Sequence, residues 1–534
     1  MDRKKWISLL LAFVLLLTGC SGVSFEEFVG DLNAEMATPF AEMQYTRPDM
    51  GAVQQALESC CDNAQTESDV QALLEQIFDF YGQYNSFYTN YNLANIHYFR
   101  DMTDAKWEAE YSFCMQNAST MEAALEQLLY ALAACPLKDE LEQHEAFGEG
   151  FFDSYVGTSI WDETFTNLMA QEAALVERYY DLCAAAQAVP YYSDAFFTQY
   201  GTPMAQVYVE LIALRQEIAA YAGYEDYPSF AYDFYHVRDY TPVQAEKYLR
   251  EIQQELVPLY RQVEERGLDV GSLPCDEKAA FAYIKDFATA MGGTVRNAFV
   301  LLETAGLYDI TYSDKKYDGS FEVYLTDYAV PYVFVNPSGL QDDKLTFAHE
   351  FGHFCHDYAS GGSISCVDVA EVFSQGMEYL SLCYGENTAP LVQIKMADCL
   401  RIFVEQAAYA LFEQQVYQLQ GENLTVENVC ALYEKIGNAF GFDMWDWDSR
   451  DFVLIGHYFS DPMYIVSYVV SNDAALQLYQ MEQAQAGTGL ARMEEQLTTT
   501  QTGFLAFLEE AGLESPFAPE RLTSVRQTLE AALT

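Results

Sequence analysis

The sequence predicts a mainly α-helical protein of more than one lobe with one small β-sheet, and three observations carry that reading. The chain has 534 residues, 51% hydrophobic and 15% aromatic, which is more core material than a single domain holds. From Ser24 to about residue 200, apolar residues recur at spacings of three and four, as in Met121-Glu122-Ala123-Ala124-Leu125-Glu126-Gln127-Leu128-Leu129, the one-face pattern of amphipathic helices. Strand-like sequence is concentrated in Phe321-Glu322-Val323-Tyr324-Leu325 and Tyr332-Val333-Phe334-Val335-Asn336, both rich in β-branched and aromatic residues.

The elements follow in order along the chain. Arg3, Lys4 and Lys5 precede an apolar run from Trp6 to Leu17, too short for an ordinary membrane span and typical of a signal peptide. Leu17-Thr18-Gly19-Cys20 resembles a bacterial lipobox. Residues 1–20 are therefore expected to be a lipoprotein signal peptide, with lipidated Cys20 as the mature N-terminus, a two-chain membrane anchor and an extracytoplasmic location. Residues 21–200 read as a helical N-terminal lobe. Pro190 and Gly201-Thr202-Pro203 mark a boundary, after which long helices resume through Gly223 and from Val243 to Glu265. Pro331, beside the second strand run, suggests that this run is an edge strand, because proline donates no ladder hydrogen bond. Ser360-Gly361-Gly362-Ser363 gives backbone freedom shortly after.

Acids outnumber Lys plus Arg by 80 to 27, a formal charge of −53. That balance argues against nucleic acid or an anionic membrane face as a partner. Twelve cysteines contain no C-x-x-C pair, which excludes a zinc knuckle or a thioredoxin-like motif. Their scatter suits small buried hydrophobes at least as well as disulfides.

Chemistry concentrates in His349-Glu350-Phe351-Gly352-His353. On a helix, residues four apart share a face, so both imidazoles can reach one metal ion while Glu350 points at an open coordination position. Only 7 His occur in the chain, so chance is a poor account of the pair. The continuation Phe354-Cys355-His356-Asp357 lacks the glycine of the long metzincin pattern. A third ligand is expected from the helix-compatible run Asp368 to Glu378: Glu371, with Asp368 as its competitor, while Glu378 is placed to orient a ligand from behind. The competing reading makes these acids a solvated helix face.

These segments resemble the M3 peptidases, the thimet oligopeptidase and oligopeptidase F group. Thr346 to His356 is similar to that family's zinc helix, and Asp368 to Glu378 to its third-ligand helix, which favours Glu371 over Asp368. Gly456-His457-Tyr458 through Tyr464 to Tyr468 is similar to its segment of one His and clustered tyrosines. Leu214 to Tyr224 and Phe507 to Pro516 are similar to the segments that open and close its catalytic region. The departures are a short connection from Asp357 to Val367, Phe373 where many relatives have Pro, and Val466 where some have Tyr.

The resemblance implies a two-lobed zincin fold with a deep channel and a small sheet beside the zinc helix, the catalytic region covering 201–525. It implies one zinc ion per chain on His349, His353 and Glu371, Glu350 as general base, and Tyr468 with His457 as donors to the oxyanion. Tyr464 is expected to touch substrate. The expected activity is hydrolysis of internal bonds in short peptides. The rivals are a zinc carboxypeptidase of a related clan and a non-catalytic peptide-binding lipoprotein.

Overall fold

The computed structural model describes residues 25–533, apart from 145, 156, 158, 187–188, 191–192, 268–272, 363–365 and 500. The signal-peptide reading and the lipidation of Cys20 lie outside the described residues. Helices dominate, and the expected mainly α architecture with one small sheet is what the chain adopts.

The first long helices are set by their caps. Asp69 accepts from the Gln71 amide and opens α1 (Val70–Arg100); Asp104 accepts from the Lys106 and Trp107 amides and opens α2 (Ala105–Ala133). Each aspartate satisfies amides that the first turn leaves without a partner. The apolar faces of these two helices and of the helix at Met50–Ala64 enclose a core that includes Leu57, Leu73, Phe80, Phe87, Leu128 and Phe152. A second, larger core gathers the remaining helices and the sheet. To it belong α3 (Glu163–Ala186) and α4 (Thr202–Tyr221).

The sheet has three strands in the order β1 (Tyr308–Asp309), β3 (Val330–Val335), β2 (Ser320–Leu325). β3 is therefore central and buried throughout, which corrects the edge assignment drawn from Pro331. The ladder explains why proline is tolerated. The Val333 amide donates to Leu307, on the β1 side, so the amide that Pro331 lacks would face the same side two residues earlier, before β1 has begun pairing at Tyr308↔Val333. No ladder bond is lost. β1 and β2 are the two edges, and β2 is antiparallel to β3 with Phe321 opposite Phe334.

Immediately after the sheet come α5 (Asp343–Ser360) and α6 (Val367–Tyr384). Gly361 at φ 72° ends α5 in the left-handed conformation that glycine adopts without strain. The two helices pack backbone against backbone: a β-carbon on Gly352 would lie 2.5 Å from the Phe373 carbonyl oxygen and 2.6 Å from Ser374 Cα. On its other side α6 meets α7 (Val466–Ala484), where Gly376 faces Leu478. The glycine inside the His349–His353 motif is thus a packing requirement. Gly352→Ala is expected to cost about 1–3 kcal/mol by overpacking and to move Glu371 away from the histidines, read as a lower unfolding midpoint together with weaker metal retention.

Among the described residues no helix is long and apolar enough to cross a membrane, and the eleven described cysteines are free thiols.

Candidate metal centre and cleft

On α5, His349 and His353 lie one turn apart with ring centroids at 5.1 Å. α6 crosses them closely enough to bring Glu371 between the two: Glu371 Oε2 is 3.4 Å from His349 Nε2, and Oε1 is 3.7 Å from His353 Nε2. One donor atom from each of the three lies within 4.8 Å of the others, the one such group among the described residues. Donors on a tetrahedral ion at zinc-like bond lengths stand about 3.4 Å apart. The set is two imidazoles and one carboxylate, borderline ligands suited to zinc, so the residues present fit the metal that the sequence implies.

The supports around this cluster have a clear logic. Glu378 Oε1 accepts from His349 Nδ1 at 2.9 Å, which fixes the tautomer that turns Nε2 toward the cluster. Behind it, the buried Lys395 ammonium donates to Glu378 Oε2 at 2.7 Å and keeps that carboxylate ionised. The Ser374 hydroxyl donates to Glu371 Oε2 at 2.8 Å and the Tyr464 hydroxyl to Oε1 at 2.5 Å. Burial would push His349 down, but the charges of Glu371 and Glu378 prevail and raise it to about 9. His353 moves the other way, well below its ordinary value, through burial and the neighbouring His349. His353 is therefore held in its neutral form near neutrality, the form that can act as a ligand.

Glu350 is 4% exposed. Burial first, then the charges of Glu371 and Glu378, raise it to about 7 against the opposing pull of His349 and the Ser320 hydroxyl. A carboxyl titrating near neutrality is suited to take and return a proton. His356, the further histidine of the motif, turns away and stacks on Phe373 with ring centroids at 4.4 Å.

Asp368, the competing ligand, has another partner. Its carboxylate receives a forked pair from Arg238, at 3.2 and 3.1 Å from Nε and 3.0 Å from Nη2, together with the Tyr240 and Ser467 hydroxyls. Asp368, Glu371 and Glu378 are at most 6% exposed, so the acids of α6 form no solvated face.

The segment before α7 adjoins the cluster. Arg215 on α4 is fully buried and donates to the carbonyls of Tyr458, at 2.7 Å, and Phe459; this holds the turn bearing His457. Met463 adopts φ 65°, unusual for a residue with a side chain, and is pinned there: its amide donates to Glu413 and its carbonyl accepts from Arg238. The chain then presents Tyr464 and Tyr468. His457 Nε2 lies 3.0 Å from the Tyr468 hydroxyl, and its ring stacks on Tyr464 at 4.9 Å and 3°.

The structure thus brings together His349, Glu350, His353, Glu371, Glu378, His457, Tyr464 and Tyr468. Tyr464 lines the cavity and has a further contact that the sequence reading did not foresee, its hydroxyl bonding to Glu371. Tyr464→Phe keeps the stacked ring and removes that hydrogen bond, and is expected to weaken metal affinity about 10-fold or more, measured by competition with a chelating dye. Lys395 and Ser374 escaped the sequence reading. Ser374 stands one turn after Glu371 and was within reach of a spacing argument; Lys395 comes from a separate helix and gave no local signal.

Beside the cluster opens a cavity of about 1760 Å³ lined by Ser320, Phe321 and Val323 of β2, by His457, Tyr464 and Tyr468, and by residues of α2 and α3.

Residues 40–156 match the family model of the Peptidase M3 N-terminal domain. Three solved structures superpose on nearly the whole chain. One, assigned as an oligoendopeptidase F and solved at 3.1 Å, has a TM-score of 0.82 at 20% identity, covering 93% of this chain and 99% of its own. PZ peptidase A with an inhibitor also reaches 0.82, at 18% identity over 92% and 99%. An assigned oligoendopeptidase F from Bacillus anthracis reaches 0.78, at 19% identity over 93% and 98%. The chain has the fold of the M3 peptidases. No curated protein matches it by sequence. The segment that matches the M3 N-terminal domain includes α1 and α2, and residues of both line the cavity.

Proposed function

We propose that this M3-fold protein is a zinc-dependent oligopeptidase that cuts internal bonds of short peptides. The observation that carries the reading is the meeting of His349, His353 and Glu371 within 4.8 Å of one another, with Glu350 beside them and a cavity of about 1760 Å³ alongside. His349, His353 and Glu371 would hold zinc, which when bound acidifies water and polarises a peptide carbonyl.

The chain's own groups do the rest. Glu350 accepts the proton of the attacking water and passes it to the leaving amine, a general acid and base role worth about 10²- to 10⁴-fold. Glu378, backed by Lys395, holds His349 in one tautomer. The Tyr468 hydroxyl and His457 would serve as donors for the charge that develops on the carbonyl oxygen, where donors fixed in advance stabilise it most. The outer edge of β2 next to the cavity, at Ser320 to Val323, can pair with an extended peptide backbone by strand addition and lay a scissile bond beside Glu350.

Export and anchoring through Cys20 belong to the same proposal and rest on the basic, apolar and Leu17-Thr18-Gly19-Cys20 segments of the N-terminus.

Metal removal tests the central claim. After treatment with a strong chelator, cleavage of short peptides is expected to fall to background and to return on adding about one equivalent of zinc. Mass-spectrometric mapping over peptides of graded length is expected to find internal cuts. Cleavage that survives complete metal removal would sink the proposal, release of single C-terminal residues would select a carboxypeptidase, and binding without cleavage in zinc-loaded protein would select a non-catalytic carrier.

A further inference from the structure

The α2 wall of the cavity carries chemistry that the reaction itself does not use. Ser119, Glu122 and Glu126 stand at positions i, i+3 and i+7 of this helix and all three line the cavity, as one helical face requires. Glu122 Oε1 accepts from the hydroxyls of Tyr84, at 2.9 Å, and Tyr88; Glu126 Oε2 accepts from Ser159 at 3.3 Å. All these donors are neutral. Of the other acids on the cavity wall, Glu172 is paired with Arg215 and Asp461 faces His457, while Asp233 accepts singly from the Tyr224 hydroxyl. No Lys or Arg is among the described residues lining the cavity.

Two carboxylates one turn apart on a helix repel each other, and here both are half-buried. Burial and the charge of Glu122 raise the Glu126 carboxyl above its ordinary value. Ser119 offers a separate sign of a missing ligand: it is only 8% exposed and its hydroxyl has no hydrogen-bond partner, a condition that normally costs stability unless something completes it. The remaining surface has a particular character. Leu125 and Leu129 supply apolar contact, and Tyr130 and Tyr155, edge to face at 5.7 Å, supply aromatic faces.

Apolar wall, aromatic faces and two carboxylates without a cation together match a group with an aliphatic stem and a positive head. We infer that Ser119, Glu122 and Glu126 form a subsite for a cationic group of the bound peptide, with the stem of a Lys or Arg side chain lying along Leu125 and Leu129. The inference rests on the peptide-hydrolase reading above and adds a substrate class to it. The same chemistry could come from the peptide's own N-terminal ammonium, so the test separates the two sources.

Two sets of short quenched fluorescent peptides serve. In the first, all N-acetylated, one position at a time carries Lys, Arg, Gln or Glu. In the second, a peptide without Lys or Arg is compared with free and acetylated N-termini. At one position Lys or Arg is expected to raise kcat/KM about tenfold over Gln; a tenfold gain from the free N-terminus instead would assign the subsite to the ammonium. The ratio is expected to fall toward one in the isosteric Glu122→Gln/Glu126→Gln variant and to invert in favour of Glu in Glu126→Lys, with circular dichroism confirming that both fold.

Ratios near one at every position and terminus in the wild type, or a preference that persists in both variants, would overturn the inference. If the wild type cleaves none of the peptides, the hydrolase reading fails by itself, and fluorescence anisotropy with labelled forms of the same peptides still tests the subsite. Tighter binding of the cationic peptides, lost in the double variant, supports it; equal binding removes it.

Discussion

Glu350→Gln is expected to lower peptide turnover by about 10²- to 10⁴-fold while leaving the zinc content at about one per chain, whereas His353→Ala is expected to lose both. The separation follows from where the groups stand. His353 offers one of three donor atoms in the metal cluster, and Glu350 offers none. A three-donor site reduced to two loses the closed set that holds zinc against solution. Glutamine keeps the volume and hydrogen-bonding reach of Glu350 in a position only 4% exposed, so the packing of α5 is unchanged and the loss is confined to proton transfer. The change also removes one negative charge from a crowded buried site, where Glu371 and Glu378 already oppose ionisation of Glu350. For that reason Glu350→Gln is expected to be at least as stable as wild type in thermal unfolding. Metal analysis by mass spectrometry with single-turnover cleavage reads both halves. Full activity in Glu350→Gln, or full zinc content in His353→Ala, would remove the assigned roles.

How much of this site could be read from the chain depends on how locally each contact is encoded. The His349, Glu350 and His353 arrangement is set by helical spacing and was legible in the sequence alone, whereas the choice of Glu371 over Asp368 on a second helix came from the family resemblance. The pairing of the Tyr464 hydroxyl with Glu371 spans 93 residues, and no periodicity encodes it; the sequence reading placed this residue against substrate and gave no sign of its contact with a ligand candidate. Pro331 misled for a different reason. The rule that excludes proline from inner strands concerns the missing amide, and β1 is too short to ask for that amide. Lys395 and Arg238 illustrate a third limit. A lone basic residue reads as surface, yet both side chains are fully buried, because each neutralises an acid that the site needs. The cavity wall from α2 was readable as a helix but not as a wall.

The largest expected effect on stability is at Arg238. Arg238→Met is expected to destabilise the protein by about 3–5 kcal/mol, since it leaves the Asp368 carboxylate buried and unpaired. Both side chains of this ion pair are 0% exposed, so water cannot take the place of the guanidinium. The Arg238 charge, aided by the Ser467 and Tyr240 hydroxyls, outweighs burial and holds Asp368 below its ordinary range. Arg238 also donates to the Met463 carbonyl at 2.9 Å, in the strained turn that delivers Tyr464 to Glu371. Loss of stability and loss of metal affinity should therefore appear together in Arg238→Met. A companion change separates the two causes. Arg238→Met/Asp368→Leu removes both charges, and replacement of a buried pair by apolar groups is often close to neutral, so most of the lost stability is expected to return. The Met463 carbonyl still lacks its donor in that double variant. If the turn depends on Arg238, metal affinity stays low after stability recovers. Urea denaturation and zinc competition on the single and double variants distinguish the cases: equal stability of Arg238→Met and wild type would show that the pair does not hold this part of the fold together, and recovery of zinc affinity along with stability would show that the turn holds its shape without the arginine.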